Sequence, residues 1–218
     1  VRDSDIDEVV ARLKAMAVQW KVPIVTEMVQ TRRDPFRVLV ATVLSLRTKD
    51  ETTASASARL FALADTPAAM LTLSRERIAE VIYPVGFYRT KAESILELCR
   101  ILLEKYEGKV PDGMEALLEL PGVGRKTANL VLSLGHGLPG LCVDTHVHRI
   151  SNRLGYVSAR TPEKTEFALR GKLPQPYWTD WNDLLVAFGQ NLCKPVSPFC
   201  SRCTLFEFCA RAGVTHSR

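Results

Sequence analysis

Helical periodicity runs through nearly the whole chain and leaves little room for any other kind of fold. Ile6, Val9, Val10, Leu13 and Ala17 recur at the spacing that lines up one face of a helix. Asp34-Pro35 reads as an N-cap with proline at the first helical position, ahead of an apolar run to Leu46. Thr66-Pro67 and Thr161-Pro162 repeat that start signal. Ser74 caps a segment carrying Ile78, Val81 and Ile82 that stops near Gly86. Thr90-Lys91-Ala92-Glu93 has the capping-box pattern and opens a helix to about Tyr106; Asp112-Gly113-Met114-Glu115 has the look of another box. A last helix is expected from about Tyr177 to Gln190. No stretch alternates apolar and polar residues, and no repeat or low-complexity segment interrupts the pattern. The expected fold class is all-α.

The 218 residues allow one large domain or two small ones. Their 46% hydrophobic and 24% charged content is ordinary for a globular protein. A net charge of +5 suits an anionic partner without requiring one. The acidic opening Val1 to Glu8 lacks a basic start followed by an apolar stretch, so no secretion signal is read there. The longest near-apolar run, Val38 to Leu46, is too short to span a bilayer. The expectation is a soluble, cytoplasmic protein without a membrane partner.

The cysteines are more informative. Cys99 and Cys142 stand alone in apolar segments, as buried small hydrophobes do. Cys193, Cys200, Cys203 and Cys209 crowd together as Cys-x6-Cys-x2-Cys-x5-Cys. An intracellular protein has little use for such a group as disulfides, so a metal centre is expected. The Cys200-x2-Cys203 pair alone fits zinc or iron–sulfur. Zinc modules usually carry two such pairs set farther apart.

A second constellation sits mid-chain. Met114 to Leu120 reads as helix, Leu120-Pro121-Gly122-Val123-Gly124 interrupts it, and Arg125 to Leu134 resumes it. Two glycines let the chain turn tightly and leave backbone N–H groups at a helix N-terminus, where an anion such as a phosphate is favoured. The same glycines can equally serve a plain turn. Lys126 lies in the first turn of the second helix, where the backbone potential and Arg125 both disfavour its ammonium form, as an amine nucleophile requires. Taken alone, a lysine on a helix is ordinarily a solvated charge. Asp144, in Val143-Asp144-Thr145-His146, reads as the N-cap of a helix carrying Val147, Ile150 and Leu154. A carboxylate can fill that place and still stabilise positive charge growing on a sugar. The segment His136 to Gly140, rich in glycine and proline, reads as a crossing between two lobes.

Together, Leu120-Pro121-Gly122-Val123-Gly124-Arg125-Lys126-Thr127-Ala128-Asn129, Val143-Asp144-Thr145-His146-Val147 and the four-cysteine spacing resemble the endonuclease III family. This is the iron–sulfur branch of the helix-hairpin-helix DNA glycosylases, and the resemblance runs from about Val9 to Cys209. It implies two helical lobes flanking a DNA-binding cleft: a helical barrel with the hairpin over residues 28–138, and a cluster lobe built from 1–27 and 139–218. It implies a partner, double-stranded DNA containing damaged pyrimidines or abasic sites, bound by a monomer. The damaged nucleotide is flipped out because its sugar carbon is unreachable within the stack. Lys126 then attacks C1′ and expels the base. Asp144 stabilises the cationic sugar and assists the lysine's proton transfers. The resulting Schiff base permits β-elimination, which cuts the strand on the 3′ side. Relatives that only remove bases lack a lysine here, which points to the bifunctional branch. The rival readings are a mismatch or uracil glycosylase without lyase activity, and a non-catalytic DNA-binding hairpin protein.

The resemblance also assigns a [4Fe–4S] cluster to Cys193, Cys200, Cys203 and Cys209, pinning a loop that presents Lys194 to phosphates. Gly122, Val123, Gly124 and Arg125 are implied as the hairpin's DNA contacts. Asp50 and His146 fall where pocket residues lie. Where the family usually has a glutamine that fills the gap left by the flipped base, this chain has Arg47. Arginine can fill that gap and stack on its neighbours, giving an altered opposite-base preference, or it can serve as a rim charge on phosphate. Phe87 takes the place of a second, apolar wedge, or belongs with Tyr88 to the core.

Overall fold

The computed structural model describes residues 1–20 and 33–218. Among them the chain forms α1 (Ile6–Ala17), α2 (Pro35–Ser45), α3 (Asp50–Leu63), α4 (Pro67–Met70), α5 (Arg75–Ile82), α6 (Tyr88–Tyr106), α7 (Met114–Leu118), α8 (Arg125–Leu130), α9 (Thr145–Arg153), α10 (Pro162–Arg170) and α11 (Trp178–Asn191). No strand occurs among the described residues, so the fold is all-α. None of the described helices is long and apolar enough to cross a membrane. The chain divides into two compact units, Ile24–Gly140 and Val1–Pro23 with Leu141–Arg218. The boundary expected between residues 27 and 28 lies outside the described residues; the later division falls between Gly140 and Leu141.

In the unit Ile24–Gly140, α2 is the axis. Every residue from Val38 to Leu44 is buried, as in a helix apolar on all sides. Asp34 caps it as its sequence position demands: Oδ1 accepts from the backbone N–H groups of Phe36 at 3.0 Å and Arg37 at 3.1 Å. Helices α3, α6 and α8 pack against α2, and α5 packs against α3 and α6. The chain continues past α8 as a π-helical segment, Val131–His136, that lies on α2. Gly135 permits this approach, because a Cβ there would stand 2.9 Å from the Cα of Pro35. Thr66 and Ser74 cap α4 and α5 with their hydroxyls.

Two starts differ from the sequence expectation. Helix α6 opens at Tyr88, so Thr90 lies inside its first turn and forms no capping box. The residue before it, Phe87, sits in the left-handed region at φ 58°, and its carbonyl already accepts from the N–H of Lys91 at 3.0 Å. Helix α7 follows Gly113 with no side-chain cap and ends at Leu118, so the box expected at Asp112 does not form either. In both places backbone geometry fixes the helix start in place of a hydroxyl or carboxylate.

In the other unit, α1 and α9 pack on α11, and α10 packs on α9. Trp181 of α11 is wholly buried, donating Nε1–H to Ser151 Oγ at 3.3 Å and lying 6.1 Å from the Tyr156 ring. Ile6, Val9, Val10 and Leu13 face the same core, as their spacing predicts. Thr161 caps α10 through its hydroxyl. Cys99 and Cys142 are buried, each in its own unit, and burial pushes the Cys99 thiol up to about 12.

Because α2 has no solvent-facing side from Val38 to Leu44, a cavity there cannot be relieved by exposure. Leu39→Ala should lower unfolding free energy by about 2–5 kcal/mol in a urea titration, through lost transfer energy plus residual cavity.

Candidate nucleic-acid interface and catalytic residues

The hairpin turns where the glycines allow it. Gly122 adopts φ +76°, a conformation that a side chain would strain. The N–H of Val123 closes the turn on the carbonyl of Leu120 at 3.1 Å, and the Val123 side chain is buried, anchoring the loop from beneath. Gly124 is the N-cap of α8 and brings no side chain to its first turn. The backbone can therefore approach a phosphate closely at the positive end of the helix. Lys126, half-buried, is the second residue of α8, and Arg125 precedes it.

Asp144 caps α9. Its Oδ1 accepts from the N–H groups of His146 and Val147, both at 2.8 Å, so Oδ2 takes no part in the cap. His146 lies one turn from Arg149, whose Nη2 is 3.3 Å from His146 Nδ1. Gly189 of α11 makes room for this pair; a Cβ there would lie 2.3 Å from His146 Nδ1.

The far end of α9 holds the cysteine loop. Arg149 Nη2 donates to the Cys193 carbonyl at 2.9 Å. Arg153, buried, donates to the carbonyls of Lys194 and Pro195, both at 2.6 Å. Burial lowers the Arg149 pKa and Arg153 lowers it further, while Cys193 and Asp144 oppose the shift. Sequence reading missed both arginines. The available signal was an arginine at 153, three residues after Ile150 on the apolar face of α9.

All four cysteines line one pocket with Ile150, Arg153 and Phe199. Among the described residues, no three His, Cys, Asp or Glu side chains are gathered as a single metal ion requires. Burial pushes the Cys203 thiol up to about 11, and the three neighbouring cysteines add to the rise. Four thiols around one pocket, of which burial makes Cys203 and Cys209 costly to ionise without a cation, are a donor set that fits a thiolate-bound metal centre such as an iron–sulfur group. Lys194, Arg202 and Arg218 all lie against the Phe199 ring, at 5.8, 5.6 and 4.0 Å from its centre. The loop's single internal lysine thus stands in a group of three cations.

The two wedge candidates meet. Arg47 is exposed at φ 52°, and its guanidinium carbon lies 5.6 Å from the centre of the Phe87 ring. Phe87 is 62% exposed, so it is not a core aromatic. Asp50 is the first residue of α3, three positions on from Arg47 and exposed. Beneath them, the buried Lys91 donates through Nζ to the carbonyls of Leu44 and Leu46 at 2.8 and 2.6 Å. Burial pushes its ammonium down to about 8. Lys91 was also missed, although it sits on the apolar stripe that continues through Ile95, Leu98 and Leu102.

Residues 40–175 match the family described as HhH-GPD superfamily base excision DNA repair protein. Endonuclease III of Thermotoga maritima is 54% identical over 176 residues, covering 81% of this chain and 83% of the relative. The chain belongs to the endonuclease III family. It is a base excision DNA repair enzyme. A solved structure of a trapped endonuclease III–DNA covalent intermediate superimposes with a TM-score of 0.85 at 33% identity, covering 97% of both chains. A thermostable thymine-DNA glycosylase superimposes less well, with a TM-score of 0.74 at 25% identity, covering 93% of this chain and 97% of the other.

Arg153→Leu should destabilise this family member by roughly 2–4 kcal/mol, because two carbonyls lose charged donors. Limited proteolysis should then cut first between Cys193 and Cys200, where the wild type resists.

Proposed function

We propose that Lys126 is the nucleophile through which this chain acts as a bifunctional DNA glycosylase and AP lyase of base excision repair. The observation that carries the reading is the place of Lys126: the first turn of α8, directly behind a glycine hairpin fit for phosphate. Support comes from the close superposition on an endonuclease III captured as a covalent DNA intermediate. The substrate is double-stranded DNA with a damaged pyrimidine or an abasic site, bound by a monomer. Gly122, Val123, Gly124 and Arg125 hold a phosphate of the damaged strand. Arg47 and Phe87 enter the stack from which the nucleotide has left, and Arg47 shifts the preference for the opposite base. Asp50 and His146 are each assigned a contact with the flipped base.

The chemistry follows from an amine acting at an acetal carbon. The neutral Lys126 Nζ adds to C1′ as the bond to the base breaks, and the base leaves with that electron pair and a proton. Asp144 stabilises the positive charge on the sugar through the carboxylate that caps α9, and takes part in the proton transfers of the lysine. Opening of the ring gives an imine. A C2′ proton is then lost and the C3′–O bond breaks, leaving the strand cut on the 3′ side.

Cys193, Cys200, Cys203 and Cys209 hold a [4Fe–4S] cluster. When bound, the cluster ties the four thiolates together and fixes the loop bearing Lys194. The four thiols would give up their protons to hold it, and its positive charge would offset the cost that burial places on ionising Cys203 and Cys209.

Borohydride should trap wild-type protein covalently on abasic or damaged duplex DNA, whereas Lys126→Ala should give no adduct while still binding. A wild type that excises bases but never traps would establish the monofunctional rival instead. The purified protein should also be brown and contain iron and sulfide in equal amounts. Cys203→Ser should bleach it, and a colourless zinc-containing wild type would refute the cluster.

A further inference from the structure

Two exposed non-glycine residues with left-handed backbones, Arg47 at φ 52° and Phe87 at φ 58°, stand side by side. Such conformations cost on the order of 1–3 kcal/mol each, and they persist only where the surroundings over-determine them. Here the surroundings are on view. The carbonyl of Leu46 accepts from Lys91 Nζ at 2.6 Å, and the carbonyl of Leu44 accepts at 2.8 Å. Thr48 Oγ1 accepts from Lys91 Nζ and from the Gly86 N–H, both at 3.2 Å, and donates to the Leu46 carbonyl at 3.2 Å. Its one donor and two acceptor positions are all engaged. Gly86 lets the two turns touch, because a Cβ there would stand 2.6 Å from the Arg47 carbonyl oxygen. On the other side, Arg59 holds the carbonyls of Val81 and Tyr83 at 2.8 and 2.7 Å.

We propose that Arg47 and Phe87 form one preassembled wedge and that Lys91 is the positioning residue that locks it. The proposal rests on the glycosylase reading above, and it adds that the wedge is fixed before DNA arrives. A buried ammonium on one turn with three oxygen acceptors on the other is a costly feature, and packing alone would be served by an apolar side chain. Its three acceptors all lie on the segment that carries Arg47. Gly86 and Thr48 bring the segment carrying Phe87 to the same point. Arg47 and Phe87 therefore enter a duplex as a unit whose strain has already been met by the fold, and no loop ordering is left for the moment of binding.

The test separates a lock from mere fold stability. Lys91→Met removes the lock, and Gly86→Ala pushes the Arg47 carbonyl away with Lys91 intact. Both would be compared with wild type for single-turnover excision of thymine glycol from duplex DNA and for β-elimination at an abasic site in a single strand, which needs no wedge. A 2-aminopurine beside the lesion would report unstacking. Expected is a loss of roughly tenfold or more in duplex excision with the unstacking signal at least halved, against single-strand cleavage within about twofold of wild type. Should Lys91→Met fail to fold, Gly86→Ala decides alone. Unchanged unstacking in the folded variants, or equal losses on both substrates, would overturn the lock. A wild type that neither cuts nor traps would instead strike the glycosylase reading itself.

Discussion

The ammonium of Lys91 is the contact that closes the end of α2 and the turn after it. Helix α2 is buried on every side from Val38 to Leu44, so its terminal carbonyls have little water to turn to. A helix end without partners in such a place is unfavourable. Lys91 meets the Leu44 carbonyl and, in the same stroke, the Leu46 carbonyl of the turn that follows. The core helix is thereby finished, and the direction in which the chain leaves it is fixed. That direction sends Arg47 outward.

The other unit uses the same device with different residues. Helix α9 is capped by Asp144 and ends at Arg153 near the cysteine loop. Its N-terminus is settled by a carboxylate on two backbone N–H groups, and its C-terminal half by two arginines on three loop carbonyls. One rigid element therefore sets the position of the acid assigned to catalysis and the path of the loop assigned to the cluster. A change at Arg153 is felt at the loop through hydrogen bonds, and at Asp144 only through the rigidity of the helix between them.

Much of this was legible in the sequence wherever a signal is local. Asp34, Thr66, Ser74 and Thr161 announce their helices, and each caps one. Asp144 reads as an N-cap and is one. Gly122 reads as a turn and takes the conformation that only glycine adopts easily. The failures have long-range causes. The box pattern at Thr90 is overridden beside a long-range junction: Gly86 meets the Arg47 carbonyl, thirty-nine residues earlier, and the adjacent Phe87 is left-handed and starts the helix. The π-helical stretch after α8 lies where Gly135 meets Pro35, another contact that spacing along the chain does not encode. Lys91 and Arg153 left only the trace of a cation on an apolar stripe, and neither the acceptors nor their purpose could be read from that.

These buried cations also change what the net charge means. A total of +5 invites the view that the excess lysines and arginines face a phosphate backbone. Yet Lys91, Arg149 and Arg153 are turned inward onto carbonyl oxygens, and Arg59 holds the turn before Phe87. Their hydrogen bonds organise loops, and the charges of Lys91 and Arg153 are buried. On the function proposed above, the cations offered to a nucleic acid from those loops are few: Arg47 beside Phe87, and Lys194, Arg202 and Arg218 around Phe199. On that reading the inward cations act on binding without touching DNA, by fixing the turn that carries Arg47 and the loop that carries Lys194.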